Sequence, residues 1–314
     1  MKLFQPACLN KNIVIIDGLS RAGKFYLGKL ISGIKELEYF TASSEIERLI
    51  QAGLTNIISE QDASALIAIA ANEEIYNKAI GRNLNSRSDD GSSILNSWEK
   101  EKYFTRQESK PGWDAVKKIS DNNRHSVFLL HQSLMALEII KNAIPNHRII
   151  NIRRHPVDLA FSLLQRGWGH RYADGDLLGF EPTFQYADSS VPYFAIDWPE
   201  EYLQSNEYDR VVKSVIYLTE KESNAIDRCE DTICHVYYDH LVNNTKKEIG
   251  KICGFLKKQP HDNIAELIKK ETRNIDIISS RSDKKNQIYN NIKDKNSFEK
   301  LMYLGKVYEN YISA

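Results

Sequence analysis

The chain has 314 residues, enough for one large domain or two small ones, and 42% of them are hydrophobic, so a sizeable core can form. Lys plus Arg and Asp plus Glu number 42 each, a balance that argues against nucleic-acid binding through a broad basic face but leaves room for a local cationic site. The opening MKLFQPACLNKN lacks the apolar run of a secretion signal, and no stretch reaches the roughly 18 apolar residues of a membrane span. Cys8, Cys229, Cys234 and Cys253 include no C-x-x-C pair, so the expectation is a cytoplasmic protein with reduced thiols.

The β-branched run Ile13–Ile16 predicts a strand buried on both faces of a parallel sheet. It feeds the loop GLSRAGKF, residues 18–25, and then FYLGKLISGIKEL, whose apolar residues recur at helical spacing. Residues 45–80 read as helical, and the polar stretch 81–93 reads as a loop, with Arg82, Arg87 and Arg106 in or near it as candidate anion ligands. SVFLL (126–130) and HRIINI (147–152) predict two further strands, each followed by a helix; the second of these helices starts on Pro156. Residues 167–210 break the pattern with many aromatics among Asp, Gly and Pro, as an irregular insertion able to cover a site. A helix, a fourth strand ICHVYYDHL (233–241), a helix at 245–258 and a Lys-rich tail (261–314) with a helical last stretch complete the chain. Alternating strands and helices predict one doubly wound, mostly parallel α/β domain over 1–314. Ligands in such sheets bind beyond the carboxyl ends of the strands, where the loops after Asp17 and Ile152 lie.

Gly18, Gly23 and Lys24 follow the nucleotide-loop pattern G-x-x-x-x-G-K, but the next residue is Phe25 in place of the Ser or Thr that would ligate magnesium. The loop therefore reads as an anion cradle without a metal ligand: two glycines for close approach, N–H groups at a helix start, and the charges of Arg21 and Lys24. In RIINIRRHPVDLAFSLL, Asp158 lies in the first helical turn, where negative charge suits the dipole. Arg154 lies just past the strand, and Ser162 falls about two helical turns into the helix, on the same groove; an arginine with a hydroxyl suits a phosphate.

Together these segments resemble the sulfotransferases that use 3′-phosphoadenosine 5′-phosphosulfate (PAPS). SRAGKF, residues 20–25, stands where that family has a loop like P-R-S-G-T-T; RHPVDLAFS, from Arg154 to Ser162, is similar to its R-x-P-x-D-x-x-x-S; and VYYDHLVNNTKKEIGKICGFL, 236–256, is similar in order and length to a third, weaker segment. The resemblance implies a P-loop-like fold and metal-independent transfer of a sulfuryl group to a hydroxyl, with carbohydrate included, or an amine. It implies that Gly18, Ser20, Arg21, Ala22, Gly23, Lys24 and Phe25 hold the 5′-phosphosulfate, and that Arg154 and Ser162 hold the 3′-phosphate. It also places Arg21 near the bridging oxygen. Ser20, Lys24 and Phe25 depart from the family loop. The family's late basic loop has only SSRSDKKNQ (279–287) as a counterpart, with Arg281, Lys284 and Lys285 as candidates.

The acceptor proton needs a base. His131, at the carboxyl edge of the second long strand, and Glu45, in TASSEIERL, are the candidates; His155 ranks lower. Two other readings remain open. One is a small-molecule kinase using ATP and magnesium, with Asp239 as the nearest metal-binding carboxylate. The other is a non-catalytic relative that binds an anionic partner.

Overall fold

The computed structural model describes residues 2–121, 123–172, 176, 178–226, 231–272 and 277–313. Five strands form a parallel sheet: β1 (Ile13–Asp17), β2 (Thr41–Ala42), β3 (Ser126–Leu129), β4 (His147–Arg153) and β7 (Ile233–Tyr237), in the order β2-β3-β1-β4-β7. Between β4 and β7 a separate antiparallel hairpin, β5 (Thr183–Tyr186) with β6 (Ser189–Pro192), rises from the aromatic-rich segment.

The helices in chain order are α1 (Lys24–Ile31), α2 (Ser44–Leu54), α3 (Glu60–Ala79), α4 (Lys100–Thr105), α5 (Trp113–Asp121), α6 (Leu137–Ala143) and α7 (Pro156–Leu164). They continue as α8 (Pro199–Gln204), α9 (Glu207–Ile226), α10 (Tyr238–Asn243), α11 (Thr245–Leu256), α12 (Ile264–Glu271), α13 (Ile277–Asn291) and α14 (Lys295–Ser313). The twofold alternation of side chains along a strand splits the core. Val14, Ile16, Ile150, Ile152 and Val236 face one apolar layer with α1, α7, α9 and α11. Ile13, Ile15, Phe128, Ile149 and Ile233 face another with α2, α3 and α6. Both faces of β1 are covered, as its unbroken apolar run requires.

Several expectations change. The segment 233–241 is a strand only as far as Tyr237; the chain turns into α10 at Tyr238, where Tyr238, Leu241 and Val242 are buried at the i, i+3, i+4 spacing of a helix. The segment 167–210 is less irregular than its composition suggests: it holds the hairpin and α8, and Tyr172, Tyr193, Phe194 and Tyr202 are buried in the main core. The two-residue β2 is too short to leave a pattern in the sequence. Cys8, Cys234 and Cys253 are free thiols, while Cys229 lies outside the described residues. Among the described residues no helix is long and apolar enough to cross a membrane.

The turn from β1 into α1 depends on two glycines. Gly18 has φ +146° and Gly23 has φ +109°, both in the region that side chains disfavour. A Cβ on Gly18 would run into the Ile152 carbonyl oxygen, and one on Gly23 would stand 2.6 Å from the Tyr238 ring. Gly23→Ala should therefore cost about 2 kcal/mol or more in urea unfolding, through backbone strain and overpacking together. An unchanged midpoint would mean that the turn is not under this constraint.

Candidate active site

The loop after β1 and the segment after β4 meet at the carboxyl edge of the sheet. Arg21, itself at φ +70°, donates from Nε to Ser162 Oγ at 3.1 Å. Arg154 donates from NH1 to the Arg21 carbonyl oxygen at 2.9 Å, and its guanidinium lies 4.6 Å from the centre of the Tyr238 ring. The predicted partners Arg21, Arg154 and Ser162 are thus brought together. Ser162 falls on this side because α7 starts at Pro156, two turns earlier.

A cavity of about 490 Å³ opens over this junction, lined by Ser20, Arg21, Gly23, Lys24 and Phe25 from the loop and by Arg154 and His131. Arg166 and Arg171, which the sequence reading missed, line it as well. Among the described residues none of Arg21, Arg154, Arg166 and Arg171 forms an ion pair with a carboxylate. Burial, and then the neighbouring charges of Arg166 and Arg154, push the Arg21 guanidinium below its ordinary pKa. Like charges crowded without a counter-ion mark a place for an anion.

Lys24 is buried, with Nζ donating to the carbonyl oxygens of Gly18 at 2.6 Å and Leu19 at 2.8 Å. Burial pushes its ammonium down to about 8, against the attraction of Asp17, Glu47 and Glu222. Beneath it Asp17 is fully buried; Oδ1 accepts from the Ser133 N–H and hydroxyl at 2.7 and 2.6 Å, and Oδ2 has no partner. Lys24, Phe25 and Tyr26, whose backbone N–H groups have no partner within α1, line the cavity. Phe25, half exposed, packs edge-on against Phe40 with ring centres 5.6 Å apart and offers no hydroxyl. These features fit the phosphates of a nucleotide donor: a cradle kept open by two glycines, with lysine and arginine charge around it.

His131 follows β3 and lines the same cavity. Its Nδ1 lies 2.6 Å from Glu47 Oε1, which also accepts the His131 backbone N–H at 2.8 Å. With Glu47 ionised, Nδ1 carries the proton and Nε2 is the free acceptor. Glu45 is exposed to solvent in the first turn of α2. At 100° per residue, Glu47 lies about 200° further round the helix, so the carboxylate that reaches the site is Glu47 and not Glu45. His155 instead caps α7, with Nδ1 accepting the Val157 N–H at 3.2 Å, and burial pushes it down to about 4.

The late basic segment is also reassigned. Arg281 lies in α13, not in a loop, and donates to Asp158 Oδ2 at 2.9 Å and Asp239 Oδ2 at 2.8 Å. Lys284 holds the other Asp158 oxygen at 2.7 Å, and Lys285 is exposed. Asp158 and Asp239 are buried, so Arg281 and Lys284 serve carboxylates of the fold and do not line the cavity. Arg106 likewise is bidentate to Glu38, and Arg82 and Arg87 are not in the cavity lining. Arg281→Ala should lower unfolding stability by about 3 kcal/mol, because it strands two buried carboxylates, with no selective loss of affinity for 3′-phosphoadenosine 5′-phosphate (PAP). Unchanged stability with lost affinity would return Arg281 to the binding site.

Solved structures similar to this chain include the sulfotransferase domain from the curacin biosynthetic pathway, with 12% identity, 83% of this chain and 78% of that chain covered and a TM-score of 0.45. The sulfotransferase domain from the Synechococcus PCC 7002 olefin synthase is similar at 13% identity, with 84% and 80% covered and a TM-score of 0.44. A sulfotransferase from Alicyclobacillus acidocaldarius is similar at 12% identity, with 94% and 96% covered and a TM-score of 0.40. A search of curated protein sequences finds no match. The family model described as "Sulfotransferase domain" matches residues 63–309, most of the chain, and the chain therefore belongs to the sulfotransferase domain family.

Proposed function

We propose that this protein transfers a sulfuryl group from PAPS to a hydroxyl acceptor without a metal ion. The observation that carries the reading is the cluster of Arg21, Arg154 and Arg166 around one cavity, unpaired by any carboxylate among the described residues, beside a glycine turn that exposes helix N–H groups. Bound there, the donor would supply an activated sulfuryl group with a phosphate as the leaving group.

The chain's own residues divide the work. The loop from Gly18 to Phe25, with Lys24, is suited to the 5′-phosphosulfate. Among the described residues the Lys24 ammonium donates to two carbonyl oxygens and forms no ion pair, and an arriving anion offers it a charged partner. Arg154 and Ser162 are assigned to the 3′-phosphate, with Arg166 as an added cation on the same wall. His131 Nε2 takes the acceptor proton as the acceptor oxygen bonds to sulfur, and Glu47 stabilises the imidazolium that results. Arg21 is assigned to the phosphate oxygen that keeps the electron pair of the broken S–O bond. The kinase alternative draws support from Lys24, but Phe25 supplies no magnesium ligand, Asp17 is held by Ser133, and Asp239 is held by Arg281.

His131→Ala should reduce turnover from PAPS by about 10²- to 10⁴-fold with PAP affinity intact, measured across a panel of hydroxyl acceptors. Near-normal turnover in the variant would remove His131 as the base, and ATP-dependent phosphorylation by the wild type would replace the reading.

A further inference from the structure

Two groups of charged side chains line the cavity. Arg21, Arg154 and Arg166 are cations close enough to act on one another. The second group is His131, Glu47 on its Nδ1, and Glu181, which enters from the residues just before β5 and feels the charge of Glu47. Glu181 takes a hydrogen bond on Oε2 from the Gln51 side-chain amide and forms no ion pair among the described residues. Burial raises its pKa; the Gln51 bond opposes this, and the charge of Glu47 adds to it. The charge of Arg48 acts on Glu181 in the opposite sense, but among the described residues neither Arg48 nor Arg171 closes on it as an ion pair, and Arg171 lies 5.0 Å from the centre of the Trp168 ring.

We infer that the acceptor carries a protonated amine beside the hydroxyl it offers to His131, and that Glu181 selects it. The inference rests on the sulfuryl-transfer reading above. A neutral acceptor packed against Glu181 would strip water from its carboxylate and leave it only the Gln51 bond, whereas an ammonium supplies both charge and N–H donors. An acidic acceptor would meet Glu47 and Glu181 with like charge. Phe180, exposed at the cavity lip, and Leu178 add an apolar and aromatic wall that tolerates an ammonium. A carboxylate beside it favours the protonated amine, so the amine is not the nucleophile and the hydroxyl is left to react.

The test uses matched pairs that differ in the ammonium: tyramine against 4-ethylphenol, and glucosamine against glucose. Binding to the PAP-loaded protein is measured by calorimetry, and turnover from PAPS is followed by PAP release. The ammonium member of at least one pair should be favoured by about tenfold or more, a ratio that falls toward one in Glu181→Gln while PAP affinity is unchanged. With PAP bound normally, three results would overturn the assignment: neither amine engaged, equal treatment within the pairs, or a preference that survives Glu181→Gln. Failure of PAP itself to bind would instead remove the sulfuryl-transfer reading beneath it.

Discussion

The contact between the loop after β1 and the segment after β4 is the interaction on which the site depends. Arg154 reaches across to the carbonyl of Arg21, and Arg21 reaches back to Ser162, so each segment fixes the other's cation. Neither bond could form without the tight passage of the loop past Ile152 and Tyr238, which excludes a side chain at positions 18 and 23. The parallel pairing of β1 with β4, from Ile13 opposite His147 to Asp17 opposite Asn151, brings both loops to the same edge of the sheet. Sheet register, glycine conformation and arginine placement are one constraint viewed at three scales.

Beneath that junction the fold buries charge. Asp17, Lys24 and Glu222 are each nearly inaccessible to solvent, and burial pushes Glu222 up to about 7 while Asn151 donates to it at 2.9 Å. Such a group is costly unless each member compensates another. Lys24 is the member nearest the cavity, so charge arriving above the loop alters the balance below it. Arg281 and Lys284 play a different part: they neutralise Asp158 and Asp239 and thereby tie α13 to α7 and α10. Their charges look alike in sequence, but their partners separate them from the cations of the cavity, which have no carboxylate partner among the described residues.

How much of this was legible in the sequence follows from the range of each contact. The long strands, the glycine loop and the run from Arg154 to Ser162 are local patterns, and the sheet, the turn and the shared wall appear where those patterns put them. His131 was visible as the residue after a buried strand. Glu47 was missed in favour of Glu45 because helix facing, rather than nearness to a cap, decides which carboxylate turns inward. Arg166 follows Ser162 by four residues and reaches the cavity from the end of α7, whereas Arg171 and Glu181 left no local signal, because only long-range packing brings them to the lining. The partners of Arg281 could not be read from the sequence, because a basic stretch does not reveal that its counter-charges, Asp158 and Asp239, wait 123 and 42 residues away.

The most direct measurement is calorimetric titration of PAP into the wild type and Arg154→Ala, with and without magnesium. The account predicts binding that is indifferent to magnesium and weakened by about tenfold or more in the variant, in keeping with the loss of a charge-assisted hydrogen bond. Absence of PAP binding, together with magnesium-dependent binding of ATP, would contradict it.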